Sequence, residues 1–308
     1  MTLIANLDHE FSLKDLGPLS YFLGIEVKRY KDGSLHLVQT KYLKDILSRA
    51  GMVNTKGVVT PMTVGLKLFK HGSDVMINPQ LYRSIVGALQ YATITRPEIS
   101  FAVNKVCQFM QNPLMSHWKA VKRILRYIAG TLTHGIILRP CTNRAITAYC
   151  DADWASDCND RHSTTGFCIY FGTNLVAWSS KKQATMARSS TEAEYRSMAS
   201  TVTEVLWIKS LLQELRVALS GPARVLCDNL STVMMTANPI LHARTKHIEL
   251  DLHFVREKAI KKEFIVQHIP SQDQVADGMT KALSQSTFLD FKRYLCISDN
   301  DISSSSKG

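Results

Sequence analysis

The chain has 308 residues, 45% hydrophobic and 20% charged, which is too apolar for a disordered chain and long enough for two compact units. Its net charge of +11 is unevenly placed: residues 1–140 hold 18 Lys and Arg against 8 Asp and Glu, and residues 141–308 hold 19 against 18. The basic first half suits a polyanion such as nucleic acid and equally serves solubility, while apolar runs such as Ile136 to Leu138 fall far short of the roughly 20 residues of a membrane span.

In chain order, Leu19 to Val27 (LSYFLGIEV) and Leu35 to Gln39 (LHLVQ) predict two strands joined by a tight turn at Tyr30-Lys31-Asp32-Gly33. A helix follows from about Thr40 to Arg49, stopped by Gly51, then a looser stretch to Asn78. Two helices are expected at Pro79 to Thr93 and Ile99 to Met110, and a third at Trp118 to Ala129. That third helix is amphipathic, with Val121, Leu125 and Ile128 on one face and Lys119, Lys122, Arg123 and Arg126 toward another. Four cations in two turns beside Trp118 and Tyr127 form either a solvated face or a grip on a phosphate backbone. Gly130 to Asn143 reads as a connection with a short strand.

From here the pattern becomes strand-rich. Ile146 to Asp153 alternates, and Gly166 to Phe171 turns through Gly172-Thr173-Asn174 into Leu175 to Ser179, which predicts an antiparallel meander. A long helix opens at Ser189-Ser190-Thr191 and runs to about Leu215, followed by a buried strand, Ala223 to Asp228, and a short helix. A helix from about Thr245 to Lys262, a strand from Phe264 to Ile269 and a last helix near Gln274 complete the series, and a Ser-rich tail over 298–308 is expected to be disordered. The seven cysteines, Cys107, Cys141, Cys150, Cys158, Cys168, Cys227 and Cys296, contain no CxxC pair and read as reduced thiols. Met1 to Phe11 lacks a signal pattern, so the expectation is a soluble intracellular protein, cytoplasmic or nuclear, with no membrane partner.

Four acids fall at element ends that this order would bring together: Asp151, Glu194, Asp228 and Asp277. Unpaired carboxylates converging on one point would repel one another, so the arrangement calls for bound cations. Oxygen-only ligands indicate a hard ion, Mg²⁺ with Mn²⁺ as substitute, and two such ions would serve phosphodiester hydrolysis. Each acid has a structural reading too. Asp153 shares a strand face with Asp151, Thr191 to Glu194 fits a capping box, Asp228-Asn229 would cap a helix, and Asp277 suits a helix first turn. His242, His247 and His253 are spaced by five and six, which does not align them for zinc.

The strings LGPLSYFLGIEV (Leu16 to Val27), TKYLKDIL (Thr40 to Leu47), YRSIVGALQYATITRPEISFAVNKVCQFMQNP (Tyr82 to Pro113), HWKAVKRILRYIAGT (His117 to Thr131), YCDADWASD (Tyr149 to Asp157), RHSTTGFCIYFG (Arg161 to Gly172), SSKKQATMARSSTEAEYRSMA (Ser179 to Ala199), LCDNLST (Leu226 to Thr232), HARTKHIELDLHFVRE (His242 to Glu257) and QVADGMTKAL (Gln274 to Leu283) carry a resemblance over nearly the whole chain. They resemble the reverse transcriptase and ribonuclease H region of copia-type LTR retrotransposon Pol polyproteins. The resemblance implies an α/β, ribonuclease-H-like mixed five-stranded sheet flanked by helices over 145–285. Before it, over 1–140, it implies a truncated reverse transcriptase end, with a partial palm hairpin and thumb- or connection-like helices. It also implies metal-binding acids at Asp151, Glu194, Asp228 and Asp277, with Glu194 rather than Glu192 because it directly precedes the Tyr-x-x-Met-Ala pattern at Tyr195. The implied partners are an RNA-DNA hybrid, its backbone held by Lys119, Lys122, Arg123, Arg126, Arg188, Ser190, Asn229 and Lys246, and the missing part of a reverse transcriptase. The expected activity is hydrolysis of the RNA strand, the ribose 2′-OH telling RNA from DNA.

The sequence departs from that family at two points. It contains no Asp-Asp dipeptide and begins after the family's polymerase site, so polymerisation is not expected. His268 lies nine positions before Asp277, but within a strand-like segment rather than the loop where many cellular ribonucleases H place a histidine. Two rival readings are an inactive transposon remnant that only binds nucleic acid and another nuclease or integrase on the same fold.

Overall fold

A computed structural model describes residues 8, 10–12, 17–237 and 248–299. Among them, two five-stranded sheets carry the architecture. The first, wholly antiparallel, has the order β1 (Tyr21–Phe22), β2 (Ile25–Arg29), β3 (Leu35–Val38), β4 (Gly135–Leu138) and β10 (Ile297–Ser298). The expected strand from Leu19 to Val27 is thus two strands. Leu23 and Gly24 take φ of +48° and +77°, making a two-residue hairpin turn that pairs Phe22 with Ile25. At the next turn the Asp32 carboxylate accepts the Ser34 N–H at 2.9 Å, the local bond that favours Asp in turns.

Four helices cover this sheet's half of the chain: α1 (Thr40–Arg49), α2 (Pro79–Ala92), α3 (Ser100–Cys107) and α4 (Met115–Ala129). Asn78 caps α2 by accepting the Leu81 N–H at 3.0 Å, with Pro79 at the first helical position. The segment expected as one helix from Ile99 to Met110 is a 3₁₀ turn, Pro97–Ile99, and the shorter α3. Helix α4 starts three residues before Trp118 because His117 Nδ1 accepts the Leu114 N–H at 2.9 Å while its Nε2–H is donated to the Phe69 carbonyl at 2.9 Å.

The second sheet has the order β7 (Asn174–Lys182), β6 (Thr164–Phe171), β5 (Ile146–Asp153), β8 (Ala223–Cys227) and β9 (Phe264–His268). The first three form the expected meander, and β8 and β9 run parallel to β5. Numbered within the unit, the strands lie 3-2-1-4-5, the mixed α/β arrangement of ribonuclease-H-like folds. One face is covered by the long helix α5 (Ser190–Glu214) and by α7 (Glu249–Ile260), burying Ile146, Ala148, Met198, Val202 and Val225. A short helix, α6 (Leu230–Ala237), follows β8. The expected start of α7 at Thr245 to His247 lies outside the described residues.

The opposite face packs on the first half. Cys168, Tyr170 and Leu175 share a core with Leu43, Val121 and Ile124, and Trp178 Nε1 donates to the Thr93 carbonyl at 3.2 Å. The expected last helix is a 3₁₀ turn, Ser271–Asp273, then a four-residue helix, α8 (Asp277–Thr280). A further helix, α9 (Gln285–Tyr294), buries Phe288 and Phe291 in the shared core, and β10 returns to pair Ile297 with Ile136. Ser298, expected to open the tail, is therefore in a strand, because its backbone finds the open edge of β4; residues 300–308 lie outside the description. No described helix is long and apolar enough to cross a membrane.

Candidate metal centre

Strand β5 is central in its sheet, which leaves Asp151 6% exposed and paired in register with Gly166 of β6. A Cβ at Gly166 would stand 2.7 Å from Met279 Cβ and 2.6 Å from Thr280 Cγ2, so only glycine lets α8 lie this close to the sheet. That contact lets the Thr280 hydroxyl donate to Asp151 Oδ2 and sets Asp277 near it. Asp228 directly follows β8, the parallel neighbour of β5. Gln274 fixes it from the side, its Nε2 donating to the Cys150 carbonyl at 2.8 Å and to Asp228 Oδ1 at 3.4 Å.

Glu194 enters from α5. The capping box expected over Thr191 to Glu194 does not form: Ser189 is the N-cap, accepting the Glu192 N–H at 3.1 Å. Glu192 is then consumed locally, its Oε2 accepting the Arg188 N–H at 2.8 Å and its Oε1 pairing with Arg196 at 2.7 Å. Glu194 is released from any capping duty. It is 7% exposed, and its Oε2 has no hydrogen-bond partner. A carboxylate oxygen of Glu194, one of Asp228 and the Cys227 sulfur lie within 4.8 Å of one another.

The electrostatics match a crowded acidic centre. Burial drives the Glu194 carboxyl up to about 10, with the charges of Asp151, Cys227 and Asp228 adding to it. Burial also lifts Asp151 to about 7; the Thr280 hydrogen bond opposes this and the Asp277 and Asp228 charges reinforce it. Asp153 is raised by burial against the pull of Lys281. Lys281 pairs with Asp277 Oδ2 at 2.8 Å, and although burial opposes its charge, Asp277, Asp151 and Asp153 hold its pKa above the usual lysine range.

Glu194 thus feels Asp151 and Asp228, Asp151 feels Asp277 and Asp228, and an orphaned buried oxygen among mutually repelling carboxylates fits a hard divalent cation. Sequence reasoning assigned no role to Thr280, Gln274, Cys227 or Lys281. The i, i+4 spacing of Asp277 and Lys281 was a usable signal for the last of these. His268, at the end of β9, contacts the Asp228 backbone carbonyl through Nε2 at 3.1 Å.

The predicted phosphate contacts divide. Lys119, Lys122, Arg123 and Arg126 line one groove of about 610 Å³ with Lys56 and Thr55. Arg126 Nε donates to the Lys56 carbonyl at 2.9 Å, Arg123 Nη2 to Thr60 Oγ1 at 2.8 Å, and Lys122 lies over the Trp118 ring at 5.9 Å. An adjoining groove joins Arg123 and Thr60 to Leu283, and Thr60 and Leu283 meet Lys281 in a small cleft beyond, so the basic surface leads toward the acids. Arg188 and Ser190 are exposed at the start of α5, whereas Asn229 Oδ1 is occupied, accepting the Thr232 N–H at 3.0 Å as a helix cap. Lys246 lies outside the described residues, as do His242 and His247; His253 is exposed and faces Glu249 at 3.9 Å. A larger cavity of about 890 Å³, between Phe167, Arg196 and Phe254, is lined by none of the four acids.

A mixed sheet ordered 3-2-1-4-5 with acids clustered on it defines an α/β protein of ribonuclease-H-like fold. In sequence, residues 2–64 match the family described as reverse transcriptase (RNA-dependent DNA polymerase). The chain is 48% identical over 287 residues to the retrovirus-related Pol polyprotein from transposon RE2 of Arabidopsis thaliana, covering 93% of this chain and 20% of that one. It is also 48% identical over 206 residues to an uncharacterized mitochondrial protein of the same plant, covering 67% of this chain and 85% of that one. The chain belongs to the copia-type retrotransposon Pol family, and it spans about a fifth of the length of the Pol polyprotein it matches. Among solved structures, LC11-RNase H1, isolated from compost, aligns with 14% identity and a TM-score of 0.36 over 44% of this chain and 93% of its own.

Proposed function

We propose that the chain hydrolyses the RNA strand of RNA-DNA hybrids, with Asp151, Glu194, Asp228 and Asp277 holding two divalent cations, Mg²⁺ or Mn²⁺ in its place. The observation that carries this reading is the partnerless, buried Oε2 of Glu194, whose carboxyl feels the charges of Asp151 and Asp228 while Asp151 in turn feels Asp277. Such ions, when bound, would supply an activated water and charge stabilisation for the departing 3′ oxygen. The chain's own groups do the positioning. Thr280 fixes the Asp151 carboxylate by its hydroxyl, Gln274 holds Asp228 against β5, and His268 steadies the Asp228 backbone. Lys281 neutralises part of the acidic charge while no ion is present. Lys56, Lys119, Lys122, Arg123 and Arg126 track the phosphate backbone of the duplex, and Arg188 and Ser190 meet it near Glu194. The unit over 145–285 carries the chemistry and residues 1–140 extend the duplex-binding surface.

The test is the purified protein on a labelled RNA-DNA hybrid with Mg²⁺, beside duplex DNA and single-stranded RNA. Cleavage of the hybrid's RNA strand alone is expected, with its loss in Asp151→Asn. Binding without cleavage would support the inactive-remnant reading instead, and cutting that persists in Asp151→Asn would refute the assignment of the site.

A further inference from the structure

One donor at the acidic centre differs in kind from the rest. Cys227 ends β8 immediately before Asp228, is fully buried, and brings its sulfur within 4.8 Å of carboxylate oxygens from both Glu194 and Asp228. The hydrolysis proposed above makes no use of it. The sulfur receives the Asn229 N–H at 3.4 Å and meets the Cys150 thiol, and Glu194, 7% exposed, keeps Oε2 without a partner. Three potential anions converging in a buried place are costly unless a cation joins them. Their chemistry also sorts ions. Mg²⁺ keeps to oxygen, whereas zinc and cadmium take thiolate readily and accept mixed sulfur and oxygen sets.

We propose that Glu194, Cys227 and Asp228 form a binding site for thiophilic divalent cations of the zinc and cadmium class, which excludes the hard ions because it shares two donors with them. As the metal–sulfur bond forms, the S–H bond breaks and its proton leaves to solvent, so two carboxylates and one thiolate face the dication. Inhibition by such ions rests on the ribonuclease reading; their binding does not. Cys150, hydrogen-bonded to Cys227 from the neighbouring strand, sits outside the donor triad, so Cys150→Ser tests whether the triad binds without this second thiol.

The test is titration of the metal-stripped full chain with Cd²⁺, read by the ultraviolet sulfur-to-cadmium charge-transfer band, for wild type, Cys150→Ser and Cys227→Ser. The first equivalent should raise the band in wild type and Cys150→Ser, and excess Mg²⁺ should weaken it by competition. In Cys227→Ser that first, Mg²⁺-sensitive band should vanish, with Cd²⁺ affinity falling at least about tenfold, the lower end of what lost support costs a metal site. The partly or fully exposed thiols at Cys107, Cys141, Cys158 and Cys296 would add only later, Mg²⁺-insensitive signal. Should Cys227→Ser fail to fold, as judged by circular dichroism, Glu194→Gln keeps the sulfur and should show the same tenfold loss. An unchanged first-equivalent band in Cys227→Ser, unchanged affinity in Glu194→Gln, or no band in wild type would overturn the site. Since the band needs no catalysis, absence of RNA cleavage sinks only the hydrolysis reading, and cleavage without the band sinks only the thiophilic site.

Discussion

Replacing Asp151 by Asn should stabilise the metal-free protein while abolishing its chemistry. The folded environment lifts the Asp151 carboxyl from 3.8 to about 7, chiefly by burial. Because the folded pKa is the higher one, the fold favours the protonated acid: its contribution to stability is intact below pH 3.8 and is lost as pH rises through about 7. The full loss is roughly 4 kcal/mol at about 1.4 kcal/mol per pH unit, and roughly half of it is already present at about pH 5.5. An amide cannot ionise, and its oxygen accepts the same Thr280 hydroxyl, so the variant escapes most of this penalty, less what burying the amide costs. Urea denaturation in EDTA at about pH 5.5 and about pH 8.5 should show Asp151→Asn more stable, its advantage growing by about 2 kcal/mol between the two. Millimolar Mg²⁺ should erase or reverse that advantage, since only the wild type gains from ion binding. A variant no more stable than wild type at the higher pH, or an advantage independent of pH, would refute the reasoning.

Gly166→Ala should push α8 off the sheet, since the added methyl meets Met279 Cβ at 2.7 Å; a cost of about 1–3 kcal/mol in chemical denaturation and weaker Mn²⁺ binding are expected together. The double change Lys119→Glu and Lys122→Glu should weaken hybrid binding and make the log–log salt dependence shallower by about 2, read by fluorescence anisotropy across salt concentrations. Asp157→Asn tests the junction between the halves, where Asp157 also faces Lys105 of α3 at 3.9 Å. Burial opposes the Asp157 charge, but Lys182 at 2.9 Å and the Asn159 amides outweigh it and hold the carboxyl down at about 2. Its contribution is present above pH 3.8 and lost as pH falls through about 2, so the variant should lose about 2 kcal/mol at neutral pH, with the gap narrowing in acid.

What the residues disclosed, and what they withheld, follows from where each signal lives. Alternation and flanking turn residues delimit β5 as Ile146–Asp153, because a strand with one face on a helix layer writes its period into the chain. The preference for Glu194 over Glu192 rests on the family resemblance alone. Its physical reason is a competition at the helix start: Ser189 takes the cap, Arg196 and the Arg188 N–H occupy Glu192, and the next glutamate is left over. The hairpin at Leu23-Gly24 carries no Asn-Gly mark and puts a leucine at positive φ, so it reads as continuous strand. The early start of α4 depends on a carbonyl at Phe69, 48 residues away from His117. Helix α9 had local marks, Ser284 accepting the Thr287 N–H at 3.3 Å and Phe288 and Phe291 three apart, but what holds it is the core of the first half. Gly166 looked like an ordinary strand residue until α8 came down on it.

In the proposed function, four distant stretches of chain build one cage for a pair of hard ions. Crystals grown with Mn²⁺ and measured at its absorption edge test it most directly. Two anomalous peaks about 4 Å apart, bounded by oxygens of Asp151, Glu194, Asp228 and Asp277, are the expected result. Peaks elsewhere, or none at these carboxylates under saturating Mn²⁺, would contradict it.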